Sequence, residues 1–74
     1  MKSKICYEAN CFIDDMNNSL KGFDISKAEL SRRTGISVDS ISRIARKKQP
    51  PTIAQEVSIR DVFKKEYLER YKDN

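Results

Sequence analysis

With 74 residues, 38% of them hydrophobic, the chain has material for one small domain, residues 1–74, with a thin core. Its 15 Lys and Arg outweigh 11 Asp and Glu, and the net charge of +4 on its own reads as a solvated basic surface. With no histidine and only two glycines, neither a His-assisted nucleophile nor a phosphate-cradling Gly loop is available, so no enzyme is expected.

From about Lys4 to Leu20, the residues Ile5, Ala9, Phe12, Ile13, Met16 and Leu20 recur at helical spacing, and Lys21-Gly22 is the expected stop. This stripe reads as core. Asp14 and Asp15 lie off it; adjacent helical residues diverge by about 100°, so the two carboxylates cannot share a site and read as solvated. Phe23 and Ile25 are expected to fold back onto the core. Cys6 and Cys11, five residues apart, fall on different helix faces and read as free thiols in a reducing cytoplasm. No metal or other cofactor is expected, because a four-ligand zinc site would have to recruit carboxylates. The apolar runs are too short for export or membrane insertion, which predicts a cytoplasmic protein.

The segment Ser26 to Ile44, SKAELSRRTGISVDSISRI, predicts two short helices joined by a turn. Ser26 and Glu29 have capping-box spacing, Leu30 points inward, and Gly35 ends the first helix where a side chain with a Cβ would cost about 1–2 kcal/mol. Ile36 anchors the turn. Ser37 caps the second helix, which sets Ile41, Ile44 and Ala45 on one side and Asp39, Ser42, Arg43 and Arg46 on the other.

Arg46, Lys47, Lys48 and Gln49 form a basic loop, and Pro50-Pro51 prevents the helix from continuing. Thr52 with Gln55 repeats the capping-box spacing and starts another helix, with apolar positions Ile53, Val57, Ile59, Val62 and Phe63. Residues 52–72 suit one long helix or a helix followed by a short fifth one, and two helices are preferred. The tail Lys72-Asp73-Asn74 is expected to fray. Residues 27–48 carry seven basic side chains against Glu29 and Asp39, a net of +5, so the rest of the chain is slightly acidic. Basicity is thus concentrated on the paired short helices and the loop behind them.

The order Leu30, Gly35, Ile36, Ser37, Ile41, followed by the basic loop, Pro51 and a helix over Thr52 to Phe63, resembles the lambda-repressor-like family of Cro-repressor type, also called the Xre family. The match runs ungapped from about Ile25 to Phe63. Ser31, Ala45 and Lys47 stand where that family commonly has Ala, Glu and Gly. The resemblance implies a compact, all-α bundle of four to five helices containing a helix-turn-helix. It also implies a sequence-specific regulator of transcription on double-stranded DNA, expected to be a repressor, resembling the control proteins of phage and mobile elements.

In such a protein the second motif helix enters the major groove, whose edges distinguish all four base pairs. By position, Val38, Asp39, Ser42 and Arg43 face bases, with Arg43 suited to guanine O6 and N7 and Val38 to a thymine methyl. Asp39 either accepts from a cytosine amine or holds the Arg43 guanidinium as an ordinary i,i+4 pair. Lys27, Ser37, Ser40, Arg46, Lys47 and Lys48 are the expected phosphate contacts, whereas Arg32 and Arg33 are expected on the far side of their helix. About five to seven Lys and Arg near phosphates are expected to release counterions and make binding fall steeply with salt.

A homodimer, weak in solution and clear on DNA, is expected through Tyr67, Leu68 and Tyr71; the alternative for these residues is packing against Phe12 and Met16 in their own chain, which is preferred for Tyr67 and not for Tyr71. No small-molecule ligand is expected. The alternative function is an antitoxin or anti-repressor-like module that keeps the fold and binds protein. RNA is less favoured, because the basic window lacks aromatic stacking platforms.

Overall fold

The computed structural model describes residues 7–71, which form four α-helices and no strand. The expected start of the first helix at Lys4, Ile5 and Cys6, and the tail from Lys72, lie outside the described residues.

Helix α1, Tyr7–Phe23, buries Ala9, Phe12, Ile13, Met16 and Leu20, the stripe that the spacing predicts. It does not stop at Lys21-Gly22. The helix runs through Gly22 to Phe23 and ends at Asp24, which takes a left-handed backbone with φ 59°. The Ile25 amide then donates to the Leu20 carbonyl at 2.9 Å and the Asp24 amide to the Lys21 carbonyl at 3.2 Å, closing the helix as a Schellman motif. Ile25 and Leu20 are both buried, the apolar contact that accompanies this ending. A short polar side chain tolerates left-handed φ better than most, so the stop falls on an aspartate rather than on the nearby glycine. Gly22, inside the helix, has nothing packed within 4 Å of where a Cβ would sit apart from its chain neighbours and its own helix backbone. Gly22→Ala is therefore expected to raise stability by about 0.5–1 kcal/mol, read as a higher urea midpoint with an unchanged slope.

Helices α2, Lys27–Thr34, and α3, Val38–Ala45, are joined by three residues. Ser26 caps α2 by accepting the Glu29 amide at 3.0 Å. The Glu29 carboxylate is turned toward Arg32 and Arg33 instead of completing the box. Gly35 has φ 81°, and its amide closes the end of α2 on the Ser31 carbonyl at 2.8 Å. Helix α4 is a single helix, Ile53–Arg70, where two were preferred. No Gly or Pro interrupts it, and i,i+4 ion pairs of Glu56 with Arg60, Asp61 with Lys65 and Glu66 with Arg70 run along it. Both halves of its Thr52–Gln55 capping box are formed, at 2.9 and 3.0 Å.

The core joins α1 to Ile25, Leu30, Ile41, Ile44, Ile59 and Val62, with Phe23, Ile36, Ala45 and Phe63 packed against it. Both α3 and α4 pack principally on α1 and α2. Ile53 and Val57, expected among the apolar positions that seat α4, are exposed instead. At about 100° per residue they lie opposite Ile59, Val62 and Phe63, which take the core side. Tyr67 is also exposed: its ring meets that of Tyr71 at a tilt of 43° with centroids 4.8 Å apart, and the two line a shallow groove with Asn18, Ser19, Gly22 and Phe23 of α1. Its expected place against Phe12 is taken by the Arg60 guanidinium, 4.9 Å from that ring.

Candidate nucleic-acid interface

Helix α3 exists as a helix because Ser37, with an extended backbone, accepts the Ser40 amide at 3.1 Å, and because Ile41 and Ile44 are fully buried. Their burial fixes which side looks out. Val38, Asp39 and Arg43 are exposed and Ser42 is half-buried, so the four residues expected to face bases share the outward arc of one short helix. Asp39 Oδ2 and Arg43 Nη2 are 2.8 Å apart, both on exposed side chains. The pair costs Arg43 little reach, since an exposed i,i+4 ion pair contributes only about 0.3–0.5 kcal/mol. It does hold the guanidinium along the helix with donors left over.

At the far end, Asn17 of α1 donates its amide to the Ala45 carbonyl at 3.1 Å, tying α3 to the helix beneath it. The chain then leaves α3 through a second Schellman ending, with the Lys48 amide on the Arg43 carbonyl at 2.8 Å and the Lys47 amide on the Ile44 carbonyl at 2.9 Å. Lys47 occupies its left-handed position at φ 61°, where the resembling family commonly has glycine. Its Nζ reaches back to Asp14 Oδ1 at 3.0 Å. Asp14 is therefore not simply solvated, and a phosphate at Lys47 would have to displace a carboxylate.

The expected phosphate contacts surround α3. Lys27 opens α2, Ser37 and Ser40 share a hydroxyl–hydroxyl hydrogen bond of 3.1 Å, and Arg46 and Lys48 are exposed on the loop. The Ser37 hydroxyl is used as donor and acceptor within the cap, which leaves Ser40 as the freer donor of the two. Lys21, which sequence reasoning passed over as part of a helix stop, lines a shallow groove with Asn17 and Lys27 beside the Asn17–Ala45 tie. Helical spacing alone offered no sign of it; the longer α1 carries it there. Among the described residues, Lys21, Lys27, Arg46 and Lys48 have no carboxylate within ion-pair distance.

Arg32 and Arg33 belong to a different surface. Arg32 pairs with Glu29, and Arg33 bonds Glu66 of α4 at 3.1 Å. Arg70 joins the same carboxylate at 2.8 Å and donates to the Phe23 carbonyl at 2.8 Å. The hydrogen bonds from Arg70 and then Arg33 hold the Glu66 carboxyl below its ordinary range. This network fastens α2 and α4 to the end of α1, away from the outward face of α3. Cys11 is an exposed free thiol, and no cluster of three or more Cys, Asp or Glu among the described residues could hold a metal ion. No helix among them is long and apolar enough to cross a membrane. No family model, curated protein or solved structure matches the chain.

Proposed function

We propose that this protein is a sequence-specific, double-stranded DNA-binding regulator of transcription, acting as a repressor, with a helix-turn-helix of lambda-repressor-like type formed by α2 and α3. The observation that carries this reading is the division of α3. Ile41 and Ile44 are fully buried while Val38, Asp39 and Arg43 face outward, bordered by cations that lack carboxylate partners. A protruding helix with such a face fits the major groove, which is wide enough to admit it. Arg43 reads guanine, Asp39 orients it, Val38 meets a thymine methyl, and Ser42 supplies a short hydrogen-bonding group. Lys27, Ser40, Arg46 and Lys48 hold phosphates, with Lys21 added and Lys47 contributing by exchange with Asp14. Two copies would occupy half-sites about 34–36 Å apart.

The experiment is selection of bound duplexes from a random pool, repeated with Arg43→Ala. The variant is expected to lose about 1–3 kcal/mol on the preferred site and far less on random DNA. Equal loss on both would reduce Arg43 to a phosphate contact. A pool that yields no enriched motif would favour the second reading, an antitoxin or anti-repressor-like protein-binding module, for which the exposed apolar residues of α4 speak.

A further inference from the structure

Helix α4 is apolar on two opposite sides, and among the described residues only one of them is packed. The side turned to the core carries Ile59, Val62 and Phe63. Directly opposite, at about 100° per residue, lie Ile53, Val57, Asp61, Lys64, Leu68 and Tyr71 in a narrow line. Ile53 is 83% exposed, Val57 61%, Leu68 54% and Tyr71 65%, so among the described residues the first three are largely open and Tyr71, with one side against Tyr67, keeps most of its surface free. With 18 residues the helix is about 27 Å long, and the line extends along nearly all of it. Arg60, which flanks the line, is drawn off it toward Glu56 and the ring of Phe12.

The order of side chains along this line reads nearly the same in both directions. Two apolar residues precede a central acid and base, and two apolar residues follow. We propose that the occupant of this face is a second copy of the chain, laid antiparallel along α4 about a two-fold axis that crosses the exposed side between Asp61 and Lys64. A two-fold contact is self-complementary, so each pairing occurs twice. In this register Ile53 meets Tyr71 of the partner subunit and Val57 meets Leu68 of the partner subunit. At the centre, Asp61 meets Lys64 of the partner subunit, and Lys64 meets Asp61 of the partner subunit. Charge complementarity selects the direction: parallel alignment would oppose Asp61 to its own copy and Lys64 to its own copy. Lys64 has no carboxylate partner among the described residues, and Asp61 has only the exposed Lys65 at 3.2 Å, so both are available. The seam extends the dimer expected from Tyr67, Leu68 and Tyr71 to the other end of α4 and sets its register. It does not depend on DNA binding, and its test uses protein alone.

The test is sedimentation of the wild type, of Asp61→Lys, of Lys64→Asp and of an equimolar mixture of the two variants, from micromolar to millimolar concentration. Circular dichroism confirms that each variant keeps its helix content, as substitutions at exposed positions should. The wild type is expected to dimerise reversibly. Each single variant opposes like charges twice and should dimerise at least about tenfold more weakly. The mixture pairs every central charge with its opposite, and should form a heterodimer that neither variant matches alone. A wild type that stays monomeric throughout would overturn the proposal and leave the face to a different partner. Undiminished dimers of the single variants, or a mixture with no heterodimer, would overturn the register.

Discussion

Between 50 and 200 mM salt, the affinity of the chain for its preferred duplex is expected to fall by about 40- to 500-fold per bound copy, the loss that follows from neutralising roughly three to five phosphates at about 0.9 counterions each. The lower number of phosphates than the sequence alone implies comes from pairing. Arg32 and Arg33 are engaged by Glu29 and Glu66, Arg43 by Asp39 and Lys47 by Asp14. What remains on the outward side is Lys21, Lys27, Arg46 and Lys48. The measurement is a titration of labelled duplex at several salt concentrations. Binding that is flat in salt would sink the DNA-binding function altogether. Lys48→Ala should reduce the slope by about one unit on specific and random duplexes alike.

Leu30→Ala is expected to cost about 2–5 kcal/mol, the usual penalty for a cavity left by a fully buried leucine. A domain of 74 residues has total stability on the order of 4–11 kcal/mol, so the variant gives up a large share of it and should unfold at a clearly lower urea concentration. Leu30 is fully buried on α2, in the cluster that also contains residues of α1, α3 and α4. Leu68→Ala, equally apolar but exposed, should change stability by no more than about 0.5 kcal/mol when measured at dilution, where the chain is monomeric. Comparing their urea midpoints tests whether α2 is the centre of the fold. Similar midpoints would mean that it is not.

The parts of the fold legible in the sequence were those with local physical signals. Ser26, Ser37 and Thr52 cap the helices that follow them, and Gly35 occupies the left-handed turn that its position demands. The inward apolar residues of α1, α2 and α3 follow from spacing alone. Two helix endings were less legible, because Asp24 and Lys47 adopt positive φ where glycine would be the sequence signal. The continuity of α4 also escaped the reading: its apolar residues fall on both sides, so periodicity cannot show one helix with one buried face. Of the candidate site, the arc Val38, Asp39, Ser42 and Arg43 was readable from helical geometry. The Asp14–Lys47 pair and the place of Lys21 were not, since both depend on how α1 lies against the end of α3.

The tie between the Asn17 amide and the Ala45 carbonyl is a hydrogen bond between neutral groups, and the underside of α3 is held by the apolar side chains of Ile41 and Ile44. Neither attachment is screened by ions. Under the proposed function, the tilt and roll of α3 in the groove are then decoupled from the medium. Ionic strength would act on how tightly the protein sits and on the exposed Asp39–Arg43 pair, while the seating of the helix that presents them stays constant.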